Sequence, residues 1–456
     1  MTARLSRATL PGRPTAPIRI VHVGLGSFHR AHQAWYTHEA DPAGEWGIAA
    51  FTGRGPRQAT VLAEQDGLYT LLERSAAGDR ATVVRSIVEA ADGADLARFI
   101  ELVAAPATAL ITITITEAGY RLRADGAPDL EDPGVAADLA TLAAQTEAEL
   151  PPVTALGRIL AGLRARRRAG SGPLAIVPCD NMPGNGALVR NALVALADRV
   201  DPRLAAWILA SVAVVSTSVD RIAPAPTDDD REIASRLIGL RDEATVVAEP
   251  FRDWVLSGDF PVGRPAWERA GARFVDDIEP FELRKLRLLN GAHSLLAYGG
   301  LLRGHETVPD AIADEVLARR VAAAWDEAER HLPRADELEL DRYRAALLER
   351  FSNRRLGDRL VRIAADGSTK LRLRIVPTLV AERAAGRPGA ASMAAIAAWV
   401  ALQQRGVELP DAALPRIEDR STAGLLRLID PRLADDAGLR HEIQRAVDDA
   451  AAGAGG

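Results

Sequence analysis

Cysteine is almost missing from this 456-residue chain: Cys179 stands alone, so no internal disulfide and no thiolate zinc cage can form. That excludes secreted disulfide frameworks and zinc-thiolate dehydrogenases, and it points to a reducing compartment. An excess of positive charge is missing too. Lys and Arg total 56 against 62 Asp and Glu, a net charge of −6 with a pI near 5.9, which leaves no field to hold nucleic acid or anionic lipid. Long hydrophobic runs are lacking: the densest, Met393 to Leu402, falls well short of the roughly 18 to 20 residues that cross a bilayer, and the N-terminus has no apolar signal core. A cytoplasmic protein is expected, with no nucleic-acid, membrane or obligate protein partner.

Two further scarcities bear on chemistry. Of the 56 basic residues only Lys285 and Lys370 are lysines. Arg keeps its proton at working pH, whereas a buried Lys can lose its own and act as a base, so a lysine kept in an arginine chain invites a role. Asparagine is confined to Asn181, Asn185, Asn191, Asn290 and Asn353. What remains is ordinary: 48% hydrophobic and 26% charged residues describe a folded protein of two or three domains.

The pattern along the chain is α/β and then helical. Residues 1–17 have three prolines and no periodicity, and read as a flexible arm. Ile18 to Val23 is a short apolar run followed by Gly24-Leu25-Gly26 and a helix from Ser27 to His38. Further strands are expected at Gly47 to Phe51, Thr82 to Val88, Ala109 to Thr116, Leu174 to Val177 and Val212 to Ser218. A helix carrying Leu188, Ala192, Leu193, Leu196 and Val200 would face their sheet. Such alternation builds a Rossmann-like, mostly parallel sheet domain, here residues 1–277. From about Pro280, a good first-turn residue, the texture is Ala, Leu and Arg at helical spacing, so 278–456 reads as a mainly α-helical C-terminal domain with a frayed tail at Ala450 to Gly456.

Gly24 and Gly26 sit where a dinucleotide-binding turn needs close backbone approach to a pyrophosphate. The fingerprint is incomplete: His29 occupies the third glycine's position, and Thr52-Gly53-Arg54 stands where an acid for the ribose would be. Arg54 or Arg57 could instead pair with a 2′-phosphate, which leaves both NAD and NADP open. His29 and His32 lack a third ligand nearby and are read, with Arg30, as neighbours of this turn and not as a metal pair. Cys179 reads as a small buried residue at a strand end.

The stronger constellation is PFELRKLRLLNGAHSLLAY, Pro280 to Tyr298. At about 100° per residue, with Lys285 at zero, Glu282 falls near 60°, His293 near 80° and Asn290 near 140°. Leu283, Leu286, Leu289, Leu295 and Leu296 surround this polar side. A neutral amine at Lys285 could take a hydroxyl proton while Asn290 and His293 donate to the oxygen as it becomes a carbonyl, which is what alcohol oxidation by hydride transfer requires. Asn181 closes the VPCDN strand, where an α/β sheet presents ligand-binding groups. A noncatalytic Rossmann-type nucleotide or sugar sensor is the competing class, and it would need none of these residues.

GLGSFHRAH, TITEAGY, PCDNMPGNG, SVDRIAP, GRPAWERAG and the spacing Lys285-x4-Asn290-x2-His293 together resemble the mannitol dehydrogenase family of polyol-specific long-chain dehydrogenases, over about Ile20 to Thr378. The resemblance implies a metal-independent enzyme that uses NAD, with NADP possible, on a small-molecule polyol or sugar acid. Lys285 would be the general base, Asn181 and Asn290 the oxyanion donors, His293 the orienting group and Glu282 a gate or proton relay. Arg362, Lys370 and Asp220 would bind substrate; Gly24, Gly26, Phe28, Arg30 and Arg54 would serve the coenzyme. The DGSTKLRLR and RKLRLLNGAHSLLAYGG stretches look more like the fructuronate reductases (D-mannonate oxidoreductases) than the mannitol enzymes. Arg372 or Arg374 could grip a carboxylate bidentately, so D-mannonate/D-fructuronate is the first expectation, with mannitol or arabinitol oxidation second.

Overall fold

Six strands of the N-terminal part pair edge to edge because each is a short apolar run whose residues alternate between two covered faces. In a computed structural model that describes residues 2–12, 14–53, 55–144, 152–414 and 418–452, the chain forms two compact units, Met1–Ile278 and Glu279–Gly456.

In the first unit, β1 (Ile18–Val23), β2 (Gly47–Phe51), β5 (Ile87–Ala91), β6 (Leu110–Ile113), β7 (Leu174–Pro178) and β8 (Val212–Val214) form an all-parallel sheet in the order β5-β2-β1-β6-β7-β8. Val21, Val23, Ile111, Ile113 and Ile176 join one core. The residues between them, Ile20, Leu110, Ala175 and Val177, join the other. This period of two explains why the strands read as unbroken apolar runs: both faces are dry. The helix Asn185–Val200 buries Ala192, Leu193 and Leu196 against the first core, with Leu188 and Val200 packed at its margin.

Two predicted strands prove to be pairs. The run Thr82 to Val88 ends β4 (Gly78–Val84) and begins β5, while Val212 to Ser218 contains β8 and the start of β9 (Ser216–Asp220). β3 (Tyr69–Ser75) lies between β4 and β10 (Val246–Ala248) in a small mixed sheet, and β9, β11 (Asp253–Ser257) and β12 (Arg273–Phe274) make another. The helix after β1 is broken, Ser27–Ala31 then Gln33–Ala40, with His32 at φ −121° and ψ −92° between them. Nor is the N-terminal segment an undocked arm. Leu5 is fully buried, its amide donates to the Arg241 carbonyl at 2.8 Å, and the Arg7 amide donates to Asp66 at 2.9 Å.

The second unit is mainly helical, with no named strand among its described residues. Gly291–Leu302 and Ala390–Gln404 pack on one another, and the densest apolar stretch, Met393 to Leu402, becomes an almost wholly buried helix. Buried Glu327 accepts from the amides of Ala391 and Ser392 at 2.8 and 2.9 Å, setting a negative charge on that helix's N-terminus. Helix Ala437–Ala452 includes the first residues of the expected frayed tail; 453–456 lie outside the described residues. No helix among the described residues is long and apolar enough to cross a membrane.

Candidate active site

The first unit carries a cavity of about 890 Å³ at the C-terminal edge of the parallel sheet, touched by Gly24, Leu25, Gly53, Thr114, Asp132 and Arg158. This is the crevice between β1 and β6, where the strand order reverses and α/β sheets hold their ligands. Gly24 makes it possible: at φ +106°, a Cβ there would stand 2.0 Å from the Thr114 carbonyl oxygen. The Gly24 and Leu25 amides both donate to the Phe51 carbonyl at 2.9 Å, lashing the turn to the end of β2. Gly26 opens the short helix with extended backbone and no contact that excludes a side chain.

Arg30 sits beneath the turn and not on its surface. It is buried, and its guanidinium donates to the carbonyls of Gly26 and Ala244 and lies over the Tyr69 ring. Its positive charge therefore steadies the turn from below. Phe28, half-buried, stacks on His32 at 5.1 Å. His29 stacks on His22, ring centroids 3.3 Å apart, both fully buried. Desolvation by burial holds both imidazoles neutral: His22 is lowered to about 3, and His29 is pushed well below the ordinary value by burial and by His22 beside it. Thr52-Gly53 ends β2 as expected; the Thr52 hydroxyl donates to Asp92, an acid just past the adjacent strand β5. Arg54 lies outside the described residues.

Asn181 lies three residues beyond β7, exposed at the same sheet edge. Its loop is pinned from both sides by a pair that sequence reasoning missed. The Asp180 carboxylate takes the Tyr120 hydroxyl at 2.5 Å and the Met182 amide at 2.9 Å, and burial raises Asp180 above the usual carboxylate range. Asn185 joins this loop to β9 by exchanging hydrogen bonds with Thr217 at 2.9 and 3.0 Å. Buried Asp220 ends β9. Tyr120 and Asp180 lie within the TITEAGY and PCDNMPGNG motifs, but their pairing spans 60 residues and no local pattern announces it. Cys179 is buried, as read from its place at a strand end.

In the second unit, Lys285 and Asn290 bound a π-helical turn, Lys285–Asn290, between the α-helical segments Glu279–Arg284 and Gly291–Leu302. The angles expected for an unbroken α-helix therefore fail across this stretch. Residues five apart are offset by roughly 140° in an α-helix, whereas a turn with i to i+5 hydrogen bonds draws them toward one face. The spacing Lys285-x4-Asn290 matches that wider turn. Lys285, Asn290, His293 and Glu282 are half-buried, above a floor of buried Leu288, Leu289, Leu295 and Leu296. The His293 ring packs on Phe351 at 4.9 Å.

Lys370 lies on the helix Gly367–Arg374, which opens after Asp366 at φ +53°. Lys370 Nζ donates to the Ile363 carbonyl at 3.0 Å, and burial, then the Arg374 charge, pushes its pKa down. One turn on, Arg374 reaches the Asn290 carbonyl at 3.4 Å and the Ser294 hydroxyl at 3.3 Å, both through Nη1. Arg372 is exposed and its charge acts on Asp430, so of the two arginines considered for a carboxylate only Arg374 stands beside Asn290. Arg362 is exposed and pairs with Asp358 at 3.3 Å.

The sequence matches the family model of the mannitol dehydrogenase Rossmann domain over residues 18–269 and that of the mannitol dehydrogenase C-terminal domain over 277–425. It is 39% identical to a mannitol 2-dehydrogenase of Cereibacter sphaeroides over 393 residues, covering 85% of this chain and 80% of that protein. It is 40% identical to the D-mannonate oxidoreductase of Escherichia coli over 371 residues, covering 78% and 74%. Among solved structures, the Pseudomonas fluorescens mannitol 2-dehydrogenase in ternary complex with NAD and D-mannitol aligns with a TM-score of 0.80 at 32% identity, covering 99% of this chain and 96% of that one. A noncatalytic sensor is thereby set aside: with both family domains and the Lys285, Asn290 and His293 spacing in place, this chain is an oxidoreductase belonging to the mannitol dehydrogenase family.

Proposed function

We propose that the protein is an NAD-dependent dehydrogenase that interconverts a secondary hydroxyl of an open-chain sugar acid with the corresponding ketone, D-mannonate and D-fructuronate first. Mannitol/fructose or an arabinitol is the second reading, favoured by the mannitol 2-dehydrogenase relatives. The observation that carries the sugar-acid reading is Arg374, a guanidinium one helical turn from Lys370 and in contact with the Asn290 backbone. A planar fork beside the reactive stripe suits a carboxylate better than a neutral polyol.

The first unit fits the coenzyme, since its cavity lies at the strand-order reversal and Gly24 lets backbone close in there. When bound, NAD supplies the hydride acceptor. Lys285 then accepts the hydroxyl proton through its neutral amine, and the Asn290 amide donates to the oxygen as carbonyl character develops. Asn181 keeps the second oxyanion-donor role its motif implies, held in place by Asp180. His293 orients the substrate, its ring seated on Phe351. Glu282, on the turn before Lys285, passes the proton onward. Arg362, Lys370 and Asp220 bind substrate hydroxyls; Gly24, Gly26, Phe28 and, from beneath, Arg30 form the coenzyme turn.

Two expected outcomes test this. With both substrate pairs, kcat/KM for mannonate or fructuronate should exceed that for mannitol or fructose by roughly ten- to a hundredfold, the worth of one charge-assisted contact. Arg374→Ala should erase the difference. Equal efficiency on acidic and neutral substrates in the unaltered enzyme sinks the uronate reading and promotes the mannitol one. NAD should be preferred to NADP, as the family implies and as an acid, Asp92, hydrogen-bonded to Thr52 just past β2 favours. A strong NADP preference that collapses in Arg54→Asp would show that Arg54 decides the coenzyme.

A further inference from the structure

The π-turn between Lys285 and Asn290 needs outside support. The Gly291 amide is divided between the Leu286 carbonyl five residues back and the Leu288 carbonyl three back, so the regular four-residue bond is missing at the turn's exit. A wide turn of this kind persists only where neighbouring groups stabilise it over the plain α-helix. Side chains reach its carbonyls at two points: the Ser294 hydroxyl donates to that of Asn290 at 3.2 Å, and two more distant residues also contribute. Arg374 contacts the Asn290 carbonyl at 3.4 Å. Trp325, on the helix Glu315–Glu329, donates its indole N–H to the Leu288 carbonyl at 2.9 Å. Both partners of this second bond are buried, Trp325 at 2% exposure and Leu288 at 0%. Water therefore offers no replacement if the bond is lost.

Trp325 reaches the stripe a second way. Its ring lies near-parallel to Phe351 at 6.4 Å and 27°, and Phe351 in turn carries the His293 ring at 4.9 Å. One side chain thus touches the backbone midway between Lys285 and Asn290 and supports, through one aromatic neighbour, the ring of His293.

We propose that Trp325 is a positioning residue of this enzyme: its hydrogen bond to the Leu288 carbonyl holds the π-turn that brings Lys285 and Asn290 to one face, and its ring, through Phe351, sets the seat of His293. This rests on the reading of Lys285, Asn290 and His293 as the reacting group. Trp325 touches none of the reacting atoms, so its effect is on geometry. Displacement of reacting groups by about 1 Å can cost on the order of a hundredfold.

Trp325→Phe keeps an aromatic ring and removes the N–H donor. The expected result is a folded protein that binds NAD with unchanged affinity, with kcat for oxidation lowered roughly ten- to a hundredfold, KM moved less, and the pH dependence of kcat displaced. The displacement distinguishes positioning from mere stability, because a loosened fold lowers the melting temperature without moving the proton-transfer limb. If Trp325→Phe fails to fold, benzothienylalanine at position 325, which replaces only the N–H by sulfur, provides the same deletion at constant shape. Unchanged kcat and pH profile in either folded variant overturns the proposal. Lys285→Ala, assayed alongside, separates the two ideas: an active Lys285→Ala enzyme refutes the site itself, whereas an inactive one beside an unaffected Trp325→Phe refutes only the role of Trp325.

Discussion

Lys285→Arg should abolish alcohol oxidation although the positive charge stays. A guanidinium does not deprotonate at working pH, so it cannot accept the substrate's hydroxyl proton. Loss of a general base typically removes roughly 10²- to 10⁴-fold of rate, and Arg here also crowds the stripe, so kcat should fall at least to the lower end of that range. Lys285→Ala should be as inactive but remain folded and able to bind NAD, since Lys285 is half-buried whereas Leu288 and Leu289 of the same turn are buried and stay unchanged. Small external amines should recover part of its activity by entering the vacated space. In the unaltered enzyme oxidation should rise with pH, as the amine loses its proton, while ketone reduction, which needs the ammonium as donor, should fall. Steady-state assays in both directions across pH check this. An active Lys285→Arg enzyme with an unchanged pH profile would remove Lys285 from the mechanism.

Acid should destabilise the first unit well before its carboxylates titrate. His22 and His29 are stacked, fully buried and held neutral by desolvation. In the unfolded chain each binds a proton near pH 6.5. Below that pH the unfolded state therefore takes up protons that the folded state refuses, and stability falls; above it the pair imposes no pH dependence. His22, lowered to about 3, should alone remove roughly 1.4 kcal/mol per pH unit over the window between the two values. His29 adds in the same direction. Urea midpoints at pH 7.5, 6.0 and 5.0 should drop steadily, and His29→Phe, which keeps the stack and deletes one titrating ring, should flatten the slope. A midpoint constant from pH 7.5 to 5.0 would contradict neutral burial of the pair.

Local pattern was enough to specify the parts of this protein that repeat with a period. β1 and β2 match the expected runs residue for residue, and the apolar face of Asn185–Val200 lies where its spacing puts it, because strands and amphipathic helices impose periods of two and 3.6 on burial. The residues proposed to react were legible for a chemical reason. A chain that otherwise uses Arg kept Lys285, and its few asparagines include Asn181 and Asn290. What the sequence could not decide depends on partners far along the chain. β3 and β4 form a local hairpin, but β10 joins them only by pairing across some 175 residues (Leu71 with Val246), and Tyr120 finds Asp180 across 60. The N-terminal segment docks through buried Leu5, a few backbone bonds and the guanidinium groups of Arg4 and Arg7, which leave no periodic trace. The pitch of the reactive helix is the sharpest case. Any angular reading of PFELRKLRLLNGAHSLLAY must assume a pitch, and the α-helical one is the natural choice. Only the tertiary environment, with the Trp325 indole on the Leu288 carbonyl and Arg374 on that of Asn290, supports the wider turn. Sequence singled out the residues proposed to carry the chemistry; packing decided that two of them, five apart, bound a π-helical turn.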